Sequence, residues 1–161
     1  AGHGNKALGQ SLGLDIPIHP EKGQILVTER VDPFLNMPTH VIRQTDEGTV
    51  MMGDSHEHTG YSDRSTAPVM SDLARNAVRC FPILSKLKII RSWGAVRILS
   101  PDGAPIYQES ETCKGAVSVN CHSGVTLAGA HAMALAPMLA AGKLDPAFEL
   151  FSARRFHGQT H

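Results

Sequence analysis

The sequence predicts an α+β fold: a mostly antiparallel sheet with helices on one side. Three observations carry that prediction. Two β-prone runs, 40–45 and 49–54, flank Asp46-Glu47-Gly48, a turn whose glycine is free to take positive φ, so they form a hairpin. Residues 24–29 form a strand with Ile25 and Val27 on one face and Leu26 and Thr28 on the other, apolar on both sides like an interior strand. The periodicities along the chain run strands, helix, strands, helix, with no internal repeat, low-complexity tract or interior linker.

Taken in order, the opening residues 1–5 are too short and polar to nucleate anything and are expected to end a strand. Residues 8–12 make a short helix closed by Gly13. Pro17 and Pro20 punctuate the entry to the 24–29 strand. In the hairpin, Met51 and Met52 fall on opposite faces, so one of them is available to line a pocket. The polar stretch 55–65 is expected as a solvated loop. Thr66 then caps a helix in which Val69, Leu73, Ala77 and Phe81 recur at helical spacing, with Pro82 just past the end. Residues 87–99 return as a long strand, bent or bulged at Gly94. Pro101-Asp102-Gly103 turns the chain into another strand. Val117 and Val119 alternate with Ser118 and Asn120, the period of a half-buried strand. Ser123-Gly124 opens an Ala-, Leu- and Met-rich helix that runs to about Ala141, before Gly142. The tail 147–156 mixes Phe148, Phe151 and Phe156 with Arg154 and Arg155, and is expected as a short helix or docking segment.

A length of 161 residues suits one domain with a real core. Fifteen basic and fifteen acidic residues leave no basic stripe, which argues against a nucleic-acid partner. No apolar run is long enough to span a bilayer, and the opening residues lack signal-peptide architecture. Cys80, Cys113 and Cys121 lack CxxC spacing and are expected as reduced thiols in a cytoplasmic protein.

Among the residues that can carry chemistry, Arg97 comes first. It sits on an apolar strand, where a guanidinium needs a partner. A ligand carboxylate, matched bidentately, is one answer, and a structural ion pair with an acidic residue of the chain is the other. The strand-turn-helix at Cys121-His122-Ser123-Gly124-Val125-Thr126 presents unpaired N–H groups at a positive dipole end, suited to an anionic or electron-rich ligand edge. An ordinary helix start capped by Ser123 fits the same residues. His56-Glu57-His58 puts two imidazoles on one face of an extended segment, but no third ligand stands at a recognisable spacing, so no metal site is assigned. Met51, Tyr61 and Tyr107 are candidate pocket residues. Gly2-His3-Gly4, followed by Lys6, Ala7 and Gly9, does not make a GxGxxG fingerprint, and none follows a strand elsewhere.

Three segments together resemble the FAD-dependent D-amino-acid oxidase and glycine/sarcosine oxidase family: Trp93-Gly94-Ala95-Val96-Arg97, the Pro101 to Ile106 turn, and the Cys121 to Thr126 turn. Ala1-Gly2 and Lys22-Gly23-Gln24-Ile25-Leu26-Val27 are similar to two further strands of the family. The runs GQILVTER, RQTDEGTV and CHSGVTLA look most like opine- or hydroxyproline-dehydrogenase-type β subunits. One departure is Ile98, where the family often has Pro after the arginine. The resemblance implies the C-terminal, substrate-side part of a two-domain flavoprotein, with the dinucleotide-binding half absent from residues 1–161. It implies FAD as cofactor and a small amino-acid or opine-like substrate, oxidised at an amine next to a carboxylate. Arg97 then clamps the substrate carboxylate, with Met51 and Tyr107 also substrate-binding and His122 a catalytic base or a hydrogen-bonding prop. Gly2, Gly94, His122, Ser123, Gly124, Val125 and Thr126 are the implied cofactor contacts. The implied partners are the missing FAD-binding half or a further polypeptide, with self-association open. Two rival readings remain: a non-catalytic domain that completes a flavin site only with a partner, and a metal hydrolase using His56 and His58.

Overall fold

The computed structural model describes residues 1–157, and the chain divides into two compact units. Pro20–Arg97 form a sheet unit; Ala1–His19 and the described residues from Ile98 onward form a terminal unit.

In the sheet unit, β1 (His19–Arg30), β2 (Ile42–Gln44), β3 (Thr49–Met52) and β4 (Ile89–Leu99) make a four-stranded sheet in the order β2-β3-β1-β4. The 24–29 strand is thus interior, as its two-sided apolar pattern predicts. The predicted hairpin forms, with Ile42 opposite Met52, Arg43 opposite Met51 and Gln44 opposite Val50 in antiparallel register. Leu26 pairs with Met52 and Val27 with Met51, also antiparallel. This register sorts the side chains. Leu26, Ile42, Val50 and Met52 face inward and pack, with Leu84, against Leu73 and Ala77 of the long helix Ala67–Cys80. Each such large apolar side chain contributes about 1.5–3 kcal/mol on burial. By alternation, Gly23, Ile25 and Val27 of β1 share the opposite face with Met51 and Arg43. That open face is where an antiparallel sheet is free to hold a ligand.

Gly94 falls inside β4, and the β1–β3 register carries an irregularity of its own between Val27 and Arg30. Gly94 answers to a different demand, because a Cβ there would meet the Asp63 carbonyl oxygen at 2.5 Å. Residues 55–65 are also more than a solvated loop. The backbones of Lys22 and Glu57 form an isolated bridge, which ties the segment to β1.

In the terminal unit, α1 (Gly4–Ser11) starts four residues before the apolar pattern does, and Ala1-Gly2 is a turn into it, not a strand end. The Ala67–Cys80 helix of the sheet unit is α2. Strands β5 (Ile106–Glu109) and β6 (Val117–Asn120) pair antiparallel. In β6 the buried positions are Ser118 and Asn120, not the valines. Asn120 accepts a hydrogen bond from Asn5 Nδ2 at 2.8 Å and donates one to Ser118 Oγ at 2.7 Å, so burial of these polar groups is satisfied. The predicted apolar helix forms as α3 (Gly124–Ala130), a π-helical turn (His131–Leu135) and α4 (Ala136–Ala140). Pro137 supplies a reason for the widened turn: its ring crowds the carbonyl one turn earlier and it has no N–H to donate. The tail folds as two 3₁₀ turns, Pro146–Phe151 and Ala153–Phe156. Leu14, Ile16, Ile18, Ile106 and Ala153 form the core of this unit. Among the described residues no helix is long and apolar enough to cross a membrane.

Candidate functional site

The Lys22-Gly23-Gln24 run divides its work between the two faces of the sheet. On the inner face, Lys22 is 2% exposed, its Nζ lying 3.0 Å from Glu57 Oε2 and donating to Arg64 O at 3.1 Å. Gln24 is fully buried; its Nε2 donates to Glu57 Oε1 (2.9 Å) and Thr66 Oγ1 (3.1 Å), and its Oε1 accepts from Thr66 N (2.9 Å). The α2 cap thus comes from Gln24, and the Thr66 side chain makes no capping bond of its own. Partial burial works against the Glu57 charge, but hydrogen bonds from Lys22, Ser55 and Gln24 outweigh it and hold that carboxyl below its ordinary value.

On the open face, the Arg97 guanidinium lies where a Cβ of Gly23 would be. Only glycine leaves it room. Arg97 Nη1 donates to Ser55 O at 2.7 Å and to Glu21 Oε1 at 3.4 Å, and Nη2 donates to Asp54 Oδ2 at 3.1 Å. The ion pair that the sequence left open is therefore present. It does not use every donor, since a guanidinium carries five N–H groups in a fixed fork. Asp54 is also divided: its Oδ1 lies 3.3 Å from His56 Nε2, while His56 Nδ1 lies 2.6 Å from Glu21 Oε1. His56 thus belongs to a charge cluster around Arg97, and among the described residues no group of three or more His, Cys, Asp or Glu is placed to hold a metal.

Beside this cluster opens a cavity of about 270 Å³ lined by Ile25, Val41, Arg43, Met51 and Asp54, among others. Met51 thus lines a pocket while Met52 enters the core, one methionine to each face. Asp54 links cavity and cluster, because it lines the first and bonds Arg97 in the second. Sequence reasoning missed Glu21 and Arg43, whereas Asp54, with Gly53, ends the second hairpin strand, where the family resemblance expects the sheet to near the cofactor or substrate. Arg43 had a signal: the hairpin turn fixes the register, so a pocket-facing Met51 brings its cross-strand partner Arg43 along.

The remaining expected site residues, apart from Gly94 on β4 and the exposed Tyr61 of the sheet unit, belong to the terminal unit. Gly2 takes φ 59° and sits 3.7 Å from the Ile98 side chain by its would-be Cβ. Tyr107 is 6% exposed, stacks edge-on against Phe148 and Phe151, and its hydroxyl lies 2.8 Å from His131 Nε2. Burial, and then the neighbouring Cys121, push its phenol above the ordinary value, so it is held as a neutral hydroxyl in an aromatic cluster. His122 is exposed, its Nδ1 3.4 Å from Ser123 Oγ. Ser123, Gly124, Val125 and Thr126 are exposed, and Ser123 makes no side-chain cap. The first-turn amides of a helix have no partner within it. Val125 beside them is 94% exposed.

The family model for FAD-dependent oxidoreductases matches residues 1–138. An opine oxidase polypeptide from Agrobacterium tumefaciens (strain Ach5) is 46% identical over 99% of the chain, which spans 43% of that relative's length. The hydrogen cyanide synthase component HcnC of Pseudomonas protegens is 32% identical over 91% of the chain and 37% of its own. Among solved structures, glycine oxidase from Geobacillus kaustophilus superposes with a TM-score of 0.86 at 20% identity, covering 98% of this chain and 45% of that one, in its C-terminal part.

Proposed function

The chain belongs to the FAD-dependent oxidoreductase family, and on that premise we propose that it is the substrate-side portion of an enzyme that oxidises an amine beside a carboxylate, R–CH(NHR′)–COO⁻, to the imine. The observation that carries this reading is the Arg97 guanidinium laid over Gly23 on the open face, next to the Met51 cavity. Bound FAD supplies the acceptor for the hydride that leaves the substrate α-carbon. Arg97 takes the substrate carboxylate in a charge-assisted, forked pair and so fixes the α-carbon. Asp54 is the group that yields, since it is the more exposed of the two carboxylates on Arg97 and has His56 as its other partner. Ile25 and Met51 line the cavity with apolar surface and exclude water from the amine. The Gly124, Val125 and Thr126 amides would hold the electron-rich edge of the flavin, with His122 and Ser123 shaping the turn and Gly2 as a close-approach point. The amine proton and hydride leave together as two electrons and two protons, and water hydrolyses the imine afterwards.

The test is Arg97→Leu in the complete enzyme, with Arg97→Lys alongside. Loss of the pair removes on the order of 2–5 kcal/mol, so kcat/KM falls about 30-fold or more, and the lysine variant recovers part of it. Unchanged kinetics in Arg97→Leu reject the clamp.

A second reading concerns assembly. The helical residues 124–140 are apolar and largely exposed, with Val125 at 94% and Met133 at 81%. This supports a flavin site completed by polypeptide beyond these 161 residues, either the nucleotide-binding half or a separate chain. Purified chain without a yellow flavin spectrum favours that completion; a stoichiometric spectrum favours self-sufficient binding.

A further inference from the structure

We propose that the cavity on the open face of the sheet unit is a second anion subsite, in which Arg43 receives a carboxylate carried on the nitrogen substituent of the substrate. This rests on the reading of Arg97 as the clamp for the α-carboxylate. The cavity of about 270 Å³ has room for an arm of several carbon atoms, and Ile25, Val41 and Met51 give it apolar walls. At its edge stands the Arg43 guanidinium, whose Nε and Nη2 lie 3.4 and 3.2 Å from Met51 Sδ. A thioether sulfur is a weak acceptor and leaves the charge uncompensated. Among the described residues no carboxylate comes within ion-pair distance of it, whereas Arg97 has Glu21 and Asp54, and Arg155 has Asp102. Asp54 is the one carboxylate lining the cavity, and His56 remains its partner when a substrate takes its place on Arg97.

The placement follows from the register. Arg43 pairs across the hairpin with Met51, Met51 with Val27, and Gly23, under Arg97, lies on the same face of β1. Asp54 is shared by the Arg97 cluster and the cavity wall. A substrate whose α-carboxylate displaces Asp54 from Arg97 therefore directs its other substituents into the cavity. A planar guanidinium beside apolar walls recognises a flexible arm ending in a carboxylate far better than it does a plain alkyl arm. Arg43 is thus a specificity-determining residue: it separates N-(carboxyalkyl) amino acids from N-alkyl ones.

The experiment measures binding without turnover. Ether analogues, in which oxygen replaces the amine nitrogen, cannot be oxidised to an imine. Carboxyalkoxyacetates with arms of increasing length are compared with alkoxyacetates of matched length, by titration calorimetry on the complete protein. The diacid of best length should bind about ten-fold or more tightly than its monoacid counterpart. Arg43→Leu should abolish that preference while leaving monoacid affinity within about two-fold, and Arg43→Lys should keep part of it. Equal binding of diacid and monoacid to the wild type, or equal weakening of both by Arg43→Leu, overturns the proposal. Arg97→Leu is the separate control: if it leaves both ligands unaffected, the clamp reading falls, while the Arg43 comparison still decides the subsite.

Discussion

A methyl group added at Gly23 would land on the Arg97 guanidinium, the movable end of a long side chain, whereas one added at Gly94 would meet the backbone carbonyl of Asp63 at 2.5 Å. The two glycines therefore fail differently when replaced. In Gly23→Ala the guanidinium swings away with little disturbance to the backbone, and Glu21 and Asp54 lose their partner. KM should rise about ten-fold in the complete enzyme, with a smaller change in melting temperature than Gly94→Ala shows. In Gly94→Ala the chain at residue 63 must shift, which costs about 1–3 kcal/mol of stability and leaves the KM of the folded fraction near the wild type. Steady-state kinetics and thermal melts of both variants check this pair; an unchanged KM in Gly23→Ala sinks the assignment. The sequence shows a glycine at both positions, but not what approaches them. Arg97 and Asp63 come from 74 and 31 residues away in the numbering, and no local pattern encodes such an approach. Met51 was more legible, because alternation alone sends it to the face opposite Met52.

Elements show the same division between local and distant causes. The Pro101-Asp102-Gly103 turn is written locally: Gly103 takes φ 74°, and Ser100 Oγ lies within hydrogen-bond distance of Asp102 Oδ1 (3.1 Å) and Ala104 O (2.6 Å). What anchors it is remote. Arg155 in the last 3₁₀ turn donates from Nε to Asp102 Oδ2 at 2.8 Å and from Nη2 to Oδ1 at 3.0 Å. The Arg155 hydrogen bonds are the main reason the Asp102 carboxyl is pulled down from 3.8 to about 2. A depressed value means that the folded state favours the ionised form. Its contribution is complete above the ordinary value of 3.8 and is lost as pH falls towards about 2. Because the Asp102 side chain is 42% exposed, screening reduces that contribution to about 0.5–1 kcal/mol. Asp102→Asn should thus melt lower than the wild type near neutral pH, and the two melting curves should converge below about pH 2. A gap that persists undiminished in acid would mean that the turn is held by something other than this charge. In α2, likewise, Thr66 and the apolar spacing are plain in the sequence, while Gln24, 42 residues upstream, supplies the capping oxygen.

At the scale of the whole molecule, the helical residues 124–140 break the rule that a helix apolar on nearly every side is a buried one. Leu135 is the buried residue of this stretch, while Val125 and Met133 are almost wholly exposed. The apolar character was plain in the sequence, and so was the start at Ser123-Gly124; its exposure was not, because how much of a helix its neighbours cover is not encoded in its own periodicity. A helix of this composition needs an apolar neighbour, since the conformational entropy lost in forming it is recovered mainly by tertiary packing. If the flavin-binding half supplies that neighbour, its contact will be visible as protection. A cysteine at position 125, introduced with Cys80 and Cys113 changed to serine because both are exposed, gives a single-site probe beside the half-buried Cys121. Maleimide labelling of Val125→Cys should be at least about ten-fold slower in the complete protein than in the 161-residue chain alone. Met133→Cys should behave alike, because it lies about two turns further along the same stretch. Rapid labelling of both cysteines in the complete protein would leave the helix uncovered there too, and the turn at residues 122–126 would then have no flavin to hold.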